Sequence, residues 1–303
     1  MNRNAILAAG VTSLMWGLTG VLVRLLPSLP ALTVTAGRLL IALVLVLPVL
    51  GLLRGGRPRF RSILGCPMAY VFALLLTGYY LLATAAFQMA PVAEVALLLS
   101  TSPLFVLLVR RMRGDIPARA QIIGASLSVA GIGLLLVPKI SFAGAAPIQH
   151  LLGSVLALSA AGLTALYAYL YRILAERDSA PDTVGVSVLT FAMGSAILIL
   201  MVSLASAPTG LETLNSRSVL IFLSLGVLCT AVPSIGYAFA SKRLPAVVTA
   251  TISLFIPLFA GIFAFVILGE RLSPLFFPGG ALVLGGIALI LRKPRVVDCV
   301  IKR

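Results

Sequence analysis

Acids are scarce in this chain. Eight Asp and Glu stand against 23 Lys and Arg in 303 residues, and charged residues of both signs make up only 10%. An average soluble domain carries roughly 25%. Hydrophobic residues reach 60%, and a water-soluble fold of this length cannot hide that much apolar surface. Soluble enzymes, disordered chains and fibrous repeats are therefore excluded. Histidine is down to one, His150, and cysteine to three, Cys66, Cys229 and Cys299. Their scatter has no metal-ligand spacing and excludes both a metal site and a disulfide framework. The cysteines read as small packing residues. No glycine-rich, phosphate-cradling loop precedes a Lys, so ATP hydrolysis within this chain is not expected, nor is any cofactor. No catalytic constellation appears, so no catalytic residue is assigned.

Long apolar runs are what the chain has. A bilayer core about 30 Å thick needs roughly 20 helical residues to cross. Ten such runs are present: 4–25, 31–52, 62–87, 91–109, 119–137, 151–172, 183–205, 217–240, 245–268 and 273–291. Turn chemistry or charge separates them: Pro27 and Pro30, then Arg54-Gly55-Gly56-Arg57-Pro58, then the stretch from Arg110 to Pro117. Met1 to Arg3 runs straight into the first apolar stretch, which reads as a first span and not as a removed signal peptide. The expected class is an all-α membrane protein of ten transmembrane helices.

Charge placement gives the orientation. One side takes the N-terminus, the loops after spans two, four, six and eight, and the C-terminus, with 18 basic residues; the other holds Arg24, Lys139, Arg217 and Arg271. Arg38 alone lies inside a span. The positive-inside rule then puts both termini in the cytoplasm. The basic residues face anionic headgroups, and no nucleic-acid partner is expected.

The chain also repeats. Pro91 falls on Pro245, Pro103 on Pro257 and Leu104-Phe105 on Leu258-Phe259 at an offset of 154. At 155, Gly114-Asp115 falls on Gly269-Glu270, Gly124 on Gly279 and Gly131 on Gly286. Gly17-Leu18-Thr19 resembles Gly162-Leu163-Thr164. Each copy has five spans. Five is odd, so the second copy enters the membrane from the opposite side. The expected domains are a first five-helix repeat at 1–140, a second, inverted one at 149–294, and a cytoplasmic tail at 295–303. Inverted repeats are a common basis of secondary transporters, with the substrate near the midplane. Two similar halves in opposite orientations give inward-open and outward-open states of similar energy.

Several segments resemble a known family. Gly269-Glu270-Arg271-Leu272 with Pro274, Gly279 and Gly286 looks like the end of an EamA domain, and Gly114-Asp115, Gly124 and Gly131 like the same element in the first half. Ser13-Leu14-Met15-Trp16-Gly17 resembles the family's opening helix, and Arg38 the arginine of its second. The chain is thus similar to the ten-helix EamA type of the drug/metabolite transporter superfamily, its YddG-like amino-acid exporters being the nearest group. The resemblance implies a multi-pass protein of the bacterial inner membrane that exports small metabolites, amino acids above all, aromatic or otherwise neutral. The second half has no arginine matching Arg38 and no acid matching Glu94, so the halves are not chemically equivalent.

The candidate substrate-lining residues are Trp16, Arg38, Tyr79, Tyr80, Glu94, Ser100, Thr101, Tyr167, Tyr237 and Ser253. Aromatic walls with hydroxyl tips suit amphipathic solutes. A mid-span Trp suggests a cavity wall or a packing role, since Trp otherwise prefers the headgroup belt. Ionisable groups in a span face protein or water. Arg38 and Glu94 read either as a shared outer-half site, for a substrate carboxylate, an ammonium or a proton, or as partners of each other. Pro103 and Pro257 each free a carbonyl four residues back, at Leu99 and Ser253, that lipid cannot satisfy. These two prolines and Pro233 are the hinge or gate candidates, with packing kinks as the alternative. Asp115 and Glu270 read as caps of the helices that follow them. Ser126, Ala130, Ala281 and Gly285 read as a close helix contact, within one chain or between chains.

These features favour a secondary transporter of small organic solutes, working by alternating access through a central cavity. A channel or facilitator is the alternative, and an intramembrane enzyme on lipid-linked substrates a weaker one. The expected partners are a small-molecule substrate, the bilayer and a proton or other coupling ion. The sequence leaves monomer and homodimer both open.

Overall fold

A computed structural model describes residues 3–52, 63–141, 145–177, 179–204, 209–210, 212, 214–241, 243–244 and 246–291. The basic loop 54–61, Lys242, Pro245 and the tail from residue 292 fall outside the described residues. Among the described residues all regular structure is helical. In lipid, every backbone N–H and C=O must be satisfied within the segment, and a helix does this residue by residue.

The spans lie close to the expected runs. They are Arg3–Arg24, Ala31–Leu52, Pro67–Met89, Val92–Leu99 continued by Ser102–Met112, Arg119–Ser141, Ala145–Glu176, Thr183–Leu204, Ser216–Ser241, Ala246–Ser253 continued by Ile256–Leu268, and Phe276–Leu291. We number them one to ten. Among the described residues nine helical runs are long and apolar enough to cross a membrane; the tenth, Phe276–Leu291, is apolar but shorter, at 16 residues. Local chemistry sets several ends. Asp182 Oδ2 accepts from the N–H groups of Val184 and Gly185 at the start of span seven. Asn215 accepts from Ser218 N–H at the start of span eight. Spans four and nine are each followed by a glycine in the left-handed region, Gly114 (φ +92°) and Gly269 (φ +64°), where a side chain would be strained. The repeat thus recurs as two matched turns.

The sequence halves do not pack as separate bundles. Span one lies against spans eight and nine, span six against three and four, span two against seven, and span three against six and seven. The most extensive neighbour of each span belongs to the other half. Spans five and ten show the symmetry directly. A Cβ on Gly124 would meet the carbonyl of Gly286 at 2.5 Å, and one on Gly131 the carbonyl of Gly279 at 2.6 Å. As the number rises along span five its partner falls along span ten, so the two matched helices run antiparallel. The contact seam is Gly124, Ser128, Gly131, Gly279, Val283 and Gly286. Ser126, Ala130, Ala281 and Gly285, expected as a close contact within one chain or between chains, are exposed on this chain and form no seam within it. They lie two residues or fewer from the seam, and steps of one or two residues turn a helix away from its partner.

Candidate functional site

Arg38 anchors the polar interior. It is only 2% exposed, and its guanidinium ties span two to spans three and eight. Nε donates to Thr230 Oγ1 at 3.0 Å, Nη2 to the Cys229 carbonyl at 3.4 Å and Nη1 to Thr84 Oγ1 at 3.5 Å. The backbone explains the second bond. Pro233 has no N–H, so the carbonyl four residues back, Cys229, lacks its usual helical donor. Just before it, Val227–Ala231 forms a π-turn, in which Thr230 Oγ1 donates to the Leu225 carbonyl. Such turns gather at functional positions in helices. Among the described residues the groups that bear electrostatically on Arg38 are Tyr80, Cys229 and Tyr79, with no carboxylate in that set.

A tyrosine ring lies against this cation, and further aromatic pairs line the neighbouring spans. The Tyr80 ring lies 5.0 Å from Arg38 Cζ, within cation–π range, and Tyr79 packs on Tyr80 at 5.4 Å. Trp16 packs on Tyr237 with ring centroids 5.3 Å apart. Tyr167 sits edge-on to Phe72 at 5.1 Å and stacks on Tyr171 at 5.8 Å; its hydroxyl is near enough to those of Tyr237 and Tyr80 to interact electrostatically. Tyr237 stays 40% exposed. Trp16, Arg38, Tyr79, Tyr80, Tyr167 and Tyr237 thus converge from spans one, two, three, six and eight, which come from both halves.

Glu94 lies at the start of span four and accepts from Ser154 Oγ of span six at 3.0 Å, whereas the bonds of Arg38 run to spans three and eight. Around Glu94 lies a polar cluster at one end of the bundle. Arg24 Nη1 donates to the Gln88 carbonyl, and Gln88 Nε2 to the Leu29 carbonyl. Glu270 Oε2 accepts the Val92 N–H at 3.1 Å. Glu270 therefore caps span four, in the other half, and not span ten as expected. Its Oε1 is buried with no hydrogen-bond partner among the described residues. Burial pushes the Glu270 carboxyl above its ordinary 4.5; the Val92 N–H and Arg24 oppose this, and Glu94 adds to it. At the other end Asp115 accepts from Arg110 Nε at 2.9 Å, with its side chain 53% exposed.

The remaining candidates lie where the spans break. Spans four and nine are interrupted at matched positions, after Leu99 and after Ser253. Tight turns carry the chain across: Thr101 N–H bonds to the Leu98 carbonyl, and Phe255 N–H to that of Ile252. The hydroxyls of Ser100, Thr101 and Ser253 donate to their own helices, at Ala96, Leu98 and Thr249. They do not reach the Leu99 or Ser253 carbonyls. Ser13 Oγ crosses from span one to the Ile252 carbonyl beside the second break. Sequence reasoning missed Thr84, Thr230 and Ser154. Their one signal was a hydroxyl within a span, a type too common there to single out.

A family model described as "EamA-like transporter family" matches residues 3–137 and 151–292. A "Probable terminal-alkyne amino-acid exporter" of Streptantibioticus cattleyicolor is 29% identical over 259 residues, 84% of this chain and 82% of that protein. An "Uncharacterized transporter" of Archaeoglobus fulgidus is 28% identical over 264 residues, 86% of this chain and 87% of its own length. A solved crystal structure shares the fold, with a TM-score of 0.64 at 22% identity, over 95% of this chain and 96% of its own.

Proposed function

The chain belongs to the EamA-like transporter family, and from that premise we propose that it is a secondary exporter of amino acids or closely related small metabolites, working by alternating access across the bacterial inner membrane with both termini in the cytoplasm. One observation carries the reading. A buried guanidinium with no facing carboxylate among the described residues stands beside an aromatic group drawn from four spans of both halves. In a low-dielectric interior that positive field favours a solute with a carboxylate, and the rings suit an apolar or aromatic body. Direct contact requires a rearrangement, because Arg38 has almost no exposed surface in this state. The exporter relative supports an amino-acid substrate.

The bundle also supports a carrier over a continuous pore. Residues 92–98 of span four are all buried at the Glu270 end, while Thr251 of span nine is exposed at the other. Counterflow of labelled amino acids into proteoliposomes tests the function. The expected result is saturable, trans-stimulated flux of at least one neutral amino acid, weakened in Arg38→Gln. Absence of saturable flux for every amino acid and related metabolite refutes it, and non-saturating flux without trans-stimulation makes the protein a facilitator.

A further inference from the structure

Matched elements of the two halves lie at opposite ends of the bundle, and the two ends differ. At one end residues 92–98 of span four are buried without exception. Of their counterparts in span nine, Val248, Ala250 and Ile252 are half-buried, Thr249 is buried, and Thr251, the counterpart of Leu97, is exposed. The second difference lies at a glycine pair. A Cβ on Gly17 would meet Phe259 Cβ at 2.7 Å, whereas one on Gly162 would meet nothing within 4 Å. By the repeat, Gly162 should face Phe105 as Gly17 faces Phe259. Span one is therefore tight against span nine at this glycine, whereas span six, which meets span four elsewhere, leaves open space at Gly162. The third difference is at the acids: Glu270 is docked on the first turn of span four, and Asp115 is half exposed on Arg110.

The docking has a chemical cause. Span four begins at Pro91, which has no side-chain acceptor and makes no cap bond. The first N–H of the helix must then find an acceptor elsewhere, and a carboxyl oxygen of Glu270 supplies it at 3.1 Å. Span nine begins after Pro245, so the same lack is written into the second copy. We propose that Glu270 and Asp115 are the paired gate residues of the transport cycle: Glu270 holds the first turn of span four while its end is shut, and Asp115 takes the equivalent hold on the first turn of span nine when the opposite end shuts. The proposal rests on the alternating-access reading. It makes this structure one of two mirror states, the other reached by exchanging the two contacts.

Labelling tests it without substrate and without assuming an orientation. Thr251→Cys and Leu97→Cys are made singly in a C66A/C229A/C299A background and treated with a water-soluble maleimide in detergent. The parent should label T251C about tenfold faster than L97C, because exposed groups react from the resting state and buried ones only through opening. Adding Glu270→Ala should raise L97C labelling roughly fivefold or more and lower that of T251C, the size of an ordinary coupling between states. Glu270→Gln keeps an acceptor oxygen and should preserve the parent pattern. Asp115→Ala should move L97C labelling the opposite way. Val92→Pro removes the donor and leaves the carboxylate, at a position where proline suits a helix start; it should match E270A and serves if E270A fails to fold. Unchanged L97C labelling in a monodisperse E270A or V92P protein overturns the proposal, as does a D115A shift of the same sign as that of E270A. Flux with unchanged labelling removes the gates and leaves the exporter; shifted labelling without flux removes the exporter and leaves two gated states.

Discussion

The tie between Arg38 and the carbonyl left by Pro233 can be isolated by a double-mutant cycle. Arg38→Met removes three donors, but only one acceptor is stranded. Thr230 Oγ1 still donates to Leu225, and Thr84 Oγ1 still donates to Tyr80. The Cys229 carbonyl loses the Nη2 bond, and Pro233 supplies no N–H in its place. A buried acceptor left unsatisfied costs about 1–3 kcal/mol. Removing a buried cation also relieves a desolvation penalty of several kcal/mol, so the stability of R38M alone decides nothing. Pro233→Ala restores a backbone donor four residues after Cys229. In R38M that donor replaces the lost bond; in the parent it is redundant. The double mutant should thus be more stable than the two single effects predict, by about 1–2 kcal/mol. Reversible unfolding in mixed micelles, followed by circular dichroism, measures all four corners. Additivity within about 0.5 kcal/mol, the range of independent sites, would refute the claim that Arg38 completes a proline-broken helix.

Other consequences follow from the same geometry. Gly286→Ala puts a methyl 2.3 Å from the Gly124 carbonyl and 2.4 Å from Ser128 Oγ, and should cost about 1–3 kcal/mol by overpacking; Gly285→Ala, with open space around it, should be neutral or gain up to about 1 kcal/mol from helix propensity, and equal thermal shifts for the two would refute the seam. Gly162→Leu enters open space while Gly17→Leu meets Phe259, so the first should fold normally but slow flux by blocking closure, and the second should lose stability; expression level, melting and counterflow separate them. Glu270 gives a pH dependence. Its carboxyl is raised while docked, chiefly by burial, with Arg24 and Glu94 facing it, and an exposed carboxyl returns toward the ordinary range. The state with the higher pKa binds the proton more tightly, so docking is favoured at low pH and lost as pH rises through the docked-state pKa. L97C labelling by a pH-insensitive thiosulfonate should increase as pH rises through that pKa in the parent and stay flat in E270Q; a decrease would reverse the sign.

Span lengths, break positions and the repeat could be read from residue order, because each is a local property. Crossing a bilayer requires a run of apolar residues, Pro91 and Pro245 sit one residue ahead of the matched helix starts, and Gly114 and Gly269 mark the matched left-handed turns. Arg38, Tyr79, Tyr80, Tyr167, Trp16 and Tyr237 could be selected as a set because a cation, or an aromatic with a polar tip, is uncommon deep in a span. Choice of partner is a different matter. Lipid-facing and protein-facing surfaces are equally apolar, so no hydrophobic pattern points a membrane helix at its neighbour. For that reason the contact within the chain runs one or two residues from Ser126, Ala130, Ala281 and Gly285, and Glu270 caps a helix from the other half and not the one beside it in sequence. The interleaving of the halves and the difference between the two ends arise from contacts between residues far apart in the sequence. Composition and order determined that ten apolar helices would repeat in two inverted sets. Close packing in three dimensions alone decided which helices meet and which end packs more tightly, because two antiparallel copies of one pattern permit either end to be the tighter.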